Sequence, residues 1–562
     1  MKRLIALSLT VFLLAGCSKP SVETAKPNGE TTPATVPEAV ISEEKITDIV
    51  LSDSGIQVEG ENGAVFTSND IVYYEDKDAY ESGNPYGEGE AWEKHTAQEA
   101  AAHTVVNIAA PGTYRVTGKL SRGQIRIDLG EEAYSDPYAV VELILSNANI
   151  TCTVAPAILF MNVYECDGAW SVETAKPDVD TSAAGANLTL EGENVINGSH
   201  VAKVFKDQDE EKKLWKQDGA IYSYMSMNVG GAGKLDLYAD NEGLDTELHL
   251  TIYGGDIAIR ADNDGINTNE DGVSVTTING GNLHIMAGLG AEGDGIDSNG
   301  YLVINGGTVV SSAHPAADAG LDSDLGSFIH GGTVIALGSA MDWAESDSEQ
   351  VTMNLQFAQN QSADAALVVA KEDGTILFAY DPSTDEVLAD NKRVYSGAVI
   401  SCPGFQVGQT YHVYVDGQIT GEDVGGVFDP ATVKSYLNST QMAYTGTDVM
   451  MRPGGMGFGG EIPDDFDPNK MPADMERFQP GQHPENMEPP EGFDREQPPE
   501  KPEGMQVPEN FDPNQPPDTM PLPYGGRGDF AFGETSAPES REPVAGFYMQ
   551  DKVNFFSGLA KL

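Results

Sequence analysis

The sequence predicts an all-β protein: a parallel β-helix closed by a C-terminal β cap and interrupted by a long disordered insertion. Repetition carries the prediction. Four segments, "EGLDTELHLTIYGGDIAI", "DGINTNEDGVSVTTINGGNLHI", "DGIDSNGYLVINGGTVV" and "AGLDSDLGSFIHGGTVIA", align on Gly243, Gly265, Gly295 and Gly320, with steps of 22, 30 and 25 residues. A second glycine column runs through Gly233, Gly255, Gly281, Gly307 and Gly332, with steps of 22, 26, 26 and 25. Periods of this length mark a solenoid. The repeats lack a leucine ladder and helical periodicity. They hold short alternating runs such as Leu283-His284-Ile285 and Leu302-Val303-Ile304, about three per repeat, between glycine pairs and Asp/Asn clusters. Leu244, Ile266, Ile296 and Leu321, each following a leading glycine, are expected to stack in a narrow core.

The rest of the chain falls around this block. Lys2 and Arg3 precede an apolar run from Leu4 to Leu14 that ends in Leu14-Ala15-Gly16-Cys17. Residues 1–16 read as a lipoprotein signal peptide, with Cys17 carrying the lipid and holding the protein outside the cell membrane. Residues 17–40, rich in Pro, Thr, Glu and Ala, read as a disordered tether, and the β-helix is expected over 41–349. The runs "ALVVA", "TILFAY" and "YHVYV" break the repeat rhythm and place a β-rich cap over 350–450, which an open solenoid end requires. Residues 451–543, rich in Pro, Met, Gly and acids, bury too little to fold alone and read as a disordered insertion; 544–562 supply a returning strand. The string SVETAKP occurs at 21–27 and again at 171–177; nothing in the sequence accounts for that identity. Cys152, Cys166 and Cys402 are odd in number and have no C-x-x-C spacing, so buried free thiols are expected rather than a metal site.

The formal net charge is -56, and no basic stripe offsets it, which excludes a nucleic-acid partner. The acids nonetheless cluster: Asp240, Glu242 and Asp245; Asp262, Asp264 and Asn267; Glu292, Asp294 and Asp297; Asp318, Asp322 and Asp324. In stacked parallel strands, equivalent positions lie about 4.7–4.9 Å apart. Calcium takes oxygen ligands at about 2.3–2.6 Å, so carboxylates on adjacent turns can share one ion. The Asp/Glu/Asn donor set, with no His or Cys beside it, points to calcium as the cofactor. Asp and Asn also favour turns for their own sake, which is the competing explanation of any single position. Tyr222, Tyr224, Tyr238, Tyr253 and Tyr301 recur near the glycine columns as candidate sugar-stacking rings.

With these motifs in view, the chain resembles the bacterial carbohydrate-binding β-helix family whose clostridial member binds cellulose and polygalacturonate. That family's fold is similar to the family nine polysaccharide lyases. The likeness rests on "PGTYRVTGKLSRGQIRID" at 111–128, "VVELILSNANITC" at 140–152, "NLTLEGENVING" at 187–198, the repeats, and "GAVISCPGFQVGQTYHVYVDG" at 397–417. It covers about 41–445, and Ala319 departs from the pattern by replacing the acid before Gly320. The resemblance implies a right-handed β-helix, bound calcium, and non-catalytic binding of acidic polysaccharide and of cellulose at the cell surface. Two other readings stand beside it. One is a calcium-dependent, pectate-type lyase with Lys234 or Arg260 as base; the other is a structural or adhesive surface protein. No G-x-S-x-G, H-E-x-x-H or P-loop is present.

Overall fold

The computed structural model describes residues 46–60, 63–74, 86–87, 93–168, 171–205, 213–316, 318–339, 342–388, 392–447 and 542–562. Cys17 and the regions expected as signal peptide, tether and nearly all of the insertion lie outside the described residues. Among the described residues the regular secondary structure is almost entirely strand; the one α-helix there, Ala97–Ala100, is held by a capping box between Thr96 and Glu99. Among the described residues no helix is long and apolar enough to cross a membrane.

Three parallel ladders organise the repeat region. The first runs through Thr104–Ile108, Gly123–Asp128, Ile158–Asn162, Gly219–Ser223, Glu242–Thr246, Ile266–Thr268, Ile296–Ser298 and Asp322–Ser323. The second joins Ala186–Glu191, Met227–Gly231, Leu250–Ile252, Val275–Ile278, Tyr301–Ile304 and Gly326–Ile329. The third joins Glu193–Gly198, Lys234–Ala239, Asp256–Ala261, Asn282–Met286, Thr308–Ser312 and Thr333–Gly338. From Glu242 onward, each repeat contributes one strand to each ladder in turn.

Register turns one side chain per repeat into a column. Leu244, Ile266 and Ile296 pair in sequence and are fully buried, with Leu321 beneath them at 2% exposure. Val229, Ile252, Ile278, Ile304 and Ile329 form a second buried column, and Leu235, Ile257, Leu283, Val309 and Val334 a third. Each such side chain stabilises the fold by roughly 1.5–3 kcal/mol through burial alone. The glycine pairs mark where the second strand turns into the third. Gly281 has φ +90°, and a Cβ there would lie 2.8 Å from the Gly255 carbonyl oxygen and 3.0 Å from the Gly254 carbonyl carbon. Only glycine lets the turns stack this closely.

The repeats end where Thr333–Gly338 pairs antiparallel with Tyr395–Ser401, which pairs antiparallel with Thr352–Gln361. The strands that follow the repeats also pack against the third ladder. Met286, Val310 and Ile335 share one buried cluster with Met353, Phe378 and Ile400. His284, 4% exposed, lies beneath it with Nδ1 3.3 Å from Asp385. The C-terminal strand Val553–Lys561 closes the structure, pairing parallel with Thr352–Gln361 and antiparallel with Thr440–Ala443. Phe556 packs on Phe547 at 4.9 Å and on Tyr444 at 4.8 Å. Cys152, Cys166 and Cys402 are free thiols, and burial pushes Cys152 and Cys166 up to about 12.

The last strand should therefore hold without the chain that leads to it. With a protease site inserted near residue 500 and cut, residues 542–562 should co-elute with the body in native buffer. Phe556→Ala should destabilise by about 3–5 kcal/mol and release the cut fragment. Dissociation of the wild-type fragment without denaturant would refute the closing role.

Candidate functional site

The first ladder gathers the acids. One outward column reads Tyr222, Asp245, Asn267, Asp297 and Asp322 in unbroken register. Its buried end is densest. Asp218, Glu242 and Asp245 bring one carboxylate oxygen each within 4.8 Å of one another. Asp218 is half-buried, Glu242 is 5% exposed and Asp245 fully buried. Lys216 reaches in from the strand Lys213–Gln217, its Nζ 2.8 Å from Asp218 and hydrogen-bonded to Asn269 Oδ1. Asn269 in turn donates to Asp245 Oδ1.

Charge and hydrogen bonding are both left unbalanced. With all three carboxyls ionised, as a bound cation would require, the one ammonium leaves two negative charges. Glu242 Oε2, Asp245 Oδ2 and Asn267 Oδ1 are buried and accept no hydrogen bond. Leaving such oxygens unpaired costs about 1–3 kcal/mol each, more when charged. Burial, then the neighbouring Asp218, raises the Glu242 carboxyl above its ordinary value; burial, then Glu242, pushes Asp245 well up. Burial opposes the Lys216 charge, but Asp218, Asp245 and Glu242 outweigh it and keep the side chain an ammonium. An all-oxygen site short of two positive charges suits a hard divalent cation.

Toward Asp322 the column opens. Asp297 and Asp322 are half-buried and Asp324 is exposed. Burial, then Asp322, pushes Asp297 up to about 8. Asp264 and Asp294 serve the backbone: Asp264 Oδ1 accepts from the Asp294 amide at 2.6 Å, and Asp294 Oδ1 from the Ala319 amide at 2.5 Å. Each staples one repeat to the next. Asp318 Oδ2 likewise accepts from the Gly293 amide at 3.0 Å, while Asp262 and Glu292 are exposed.

Asp240 lies in another setting. Its two oxygens take Ser199 Oγ at 2.6 Å and His200 Nδ1 at 2.9 Å, and His200 Nε2 meets Glu93 at 3.0 Å. Lys234 and Arg260 sit on the third ladder, away from the acidic column. Lys234 Nζ is 3.8 Å from Asp256, and Arg260 lies 5.0 Å over the Tyr238 ring. Tyr222 is fully buried and hydrogen-bonds Glu247; Tyr224 packs edge-on against it at 5.1 Å. Tyr253 and Tyr301 are half-buried, and Tyr301 stands 6.2 Å from Phe328. Sequence reasoning missed Asp218 and Lys216, which precede the first recognisable repeat; the spacing K-x-D before Gly219 was the one available signal.

A family model described as "Carbohydrate-binding domain-containing protein" matches residues 102–401. A protein of Acetivibrio thermocellus with that description is 31% identical over 157 residues, covering 28% of this chain and 45% of the relative. The chain thus spans less than half the length of that relative. A solved structure described as a polysaccharide lyase-like protein from C. thermocellum, gadolinium derivative, is 21% identical. That likeness covers 51% of this chain and 92% of the other, with a TM-score of 0.31.

The Glu93–His200–Asp240 bridge sets a pH dependence. Burial opposes the His200 charge, but the hydrogen bonds to Asp240 and Glu93 outweigh it and raise the imidazole to about 10. A folded-state value above the unfolded 6.5 gives stability that is full below pH 6.5 and lost as pH rises through about 10. Allowing for solvent screening at the partly exposed Asp240, the loss should be roughly 2 kcal/mol. Chemical denaturation in chelator from pH 6 to 10.5 should show it, and His200→Gln should flatten the curve over that window. Equal slopes in both proteins would remove the bridge from the account.

Proposed function

The chain belongs to the carbohydrate-binding domain-containing protein family, and we propose that it is a calcium-dependent, non-catalytic binder of acidic polysaccharide such as polygalacturonate. In this reading the three ladders are the faces of a right-handed parallel β-helix. A lipid on Cys17 holds the protein at the outer face of the cell membrane. The observation that carries the proposal is the set of buried, unpartnered oxygens of Glu242, Asp245 and Asn267 beside Asp218.

The two ends of the acidic column have different work. At the buried end the protein surrounds the oxygens, so a calcium ion there would stiffen the stacked strands. At the open end Asp297, Asp322 and Asp324 face partly to solvent. Calcium seeks about six to eight oxygens, and a protein that fills only part of that set leaves room for sugar carboxylates. This is how a chain with net charge -56 would hold a polyanion: long-range repulsion is overcome by a shared cation. Elimination chemistry has weaker support. Lys216 is the lysine beside the acids, and their field keeps it protonated, which makes it a poor base.

Calcium should raise the melting temperature, with about 2.7 kcal/mol of stabilisation at a hundredfold excess over its dissociation constant. Asp245→Asn removes one of the mutually repelling charges, so it should raise the melting temperature in chelator and abolish most of the calcium increment. A calcium increment left intact in Asp245→Asn would take the ion away from this cluster.

Retention on polygalacturonate should require calcium and fall about tenfold or more in Asp297→Asn/Asp322→Asn, with the polymer left uncut. Retention unchanged in chelator would overturn the proposal. Accumulation of an ultraviolet-absorbing unsaturated uronide would establish a lyase instead.

A further inference from the structure

Among the described residues, Lys216 is the cation that stands with Asp218, Glu242 and Asp245. It comes from outside the repeats. Its strand, Lys213–Gln217, pairs antiparallel with Val201–Phe205, with Gln217 opposite Val201. Tyr224 Oη donates to the Lys216 carbonyl at 3.2 Å, which ties that strand to the end of Gly219–Ser223 in the first ladder. The Lys216 side chain is only 12% exposed. Its ammonium donates to Asp218 Oδ2 at 2.8 Å and to Asn269 Oδ1. Asn269 carries the contact onward, because its Nδ2 donates to Asp245 Oδ1. With its oxygen held by an ammonium and its nitrogen by a carboxylate, that amide has one orientation.

The ammonium reaches the edge of the cluster and no further. Glu242 Oε2, Asp245 Oδ2 and Asn267 Oδ1 accept nothing from it or from any other donor. Glu242 is 5% exposed and Asp245 fully buried, so water does not serve these oxygens freely. They are the oxygens that a hard cation would take. Ammonium and ion would then be neighbours rather than rivals for the same atoms. Three ionised carboxylates, one ammonium and a divalent ion are neutral together. A trivalent ion in the same place leaves a positive excess where burial makes an unbalanced charge costly. Without the ammonium, neutrality moves to the trivalent ion.

We propose that Lys216 sets the valence that the buried site accepts: it holds the cluster at two uncompensated negative charges and so selects divalent over trivalent cations. Lys216 has this role only if a cation occupies the cluster, as proposed above, and the role decides which ions the site refuses. Repulsion between a fixed ammonium and a nearby ion grows in proportion to the charge of the ion. Removing the ammonium therefore strengthens both kinds of binding, with the logarithms of the two gains in the ratio of the ionic charges. A tenfold gain for calcium implies about thirtyfold for a lanthanide. A lysine that only braced its strand would produce no such ratio.

Calorimetric titration of the full chain with calcium and with terbium would test it, in the wild type, Lys216→Met and Lys216→Arg. The affinities are read on the binding class that Asp245→Asn removes. Lys216→Met should tighten calcium about tenfold or more and terbium by a larger factor, so that its preference for terbium rises about threefold or more. Lys216→Arg, which keeps the charge, should keep the wild-type preference. In chelator Lys216→Met should melt below the wild type, and saturating calcium should narrow that gap, as a folded variant with a stronger site requires. Affinities that stay unchanged in Lys216→Met, fall together, or rise by the same factor for both ions would overturn the role of Lys216 and leave the calcium site standing. If the wild type binds neither ion in a class that Asp245→Asn removes, the calcium reading itself fails, and the role of Lys216 with it.

Discussion

In-register parallel pairing is the constraint on which the rest of this structure depends. It sets each side chain directly over its equivalent in the next repeat, about 4.8 Å away. Apolar residues gain from that, since Leu244, Ile266 and Ile296 make one continuous core. Charged residues lose, because a carboxylate at one position meets another wherever the repeat recurs. Asp245, Asp297 and Asp322 share such a column, relieved once by the neutral Asn267. A sequence that keeps acids at the recurring position must neutralise them.

The structure shows two ways of doing so. Asp264, Asp294 and Asp318 accept backbone amides of neighbouring repeats and so act as inter-strand staples, though burial and the acids around Asp264 still push its carboxyl well up. Glu242 and Asp245 have no such donors for one oxygen each. Lys216 supplies one positive charge, which is insufficient for the three carboxylates it faces. The remaining charge gives the calcium proposal its physical basis. It also separates a buried, stiffening position from an open one that a polymer could reach. On the second ladder the same register produces the opposite chemistry: the residue after each strand is Tyr253, Asn279, Asn305 or His330, and a polar row replaces an ionic one.

Much of this was legible in the sequence where the repeats are regular. The glycine columns located the turns, and the residue after each leading glycine located the core. The acidic clusters contained the column but did not separate its members. Asp245 and Asp264 look alike in the sequence, and burial pushes both carboxyls well up, yet Asp264 also caps an amide while Asp245 keeps an orphaned oxygen. Tyr222 and Tyr253 also look alike, but Tyr222 is buried against Glu247 while Tyr253 lines a groove. Partners from outside the repeats decided these cases. Lys216 arrives from the strand Lys213–Gln217 and Asp218 directly follows it, His200 claims Asp240, and 177–180 completes the groove. Pattern reading cannot place such excursions, because their position is fixed by tertiary packing.

Terbium luminescence tests the central claim most directly, since Tyr222 immediately precedes Asp245 in the column and can sensitise a lanthanide held there. Titrating the full chain with terbium under tyrosine excitation should give saturable emission. Excess calcium should displace it, and Asp245→Asn should remove most of it. Emission that is absent, or indifferent to calcium and to Asp245→Asn, would contradict the assignment of a divalent cation to the acidic column.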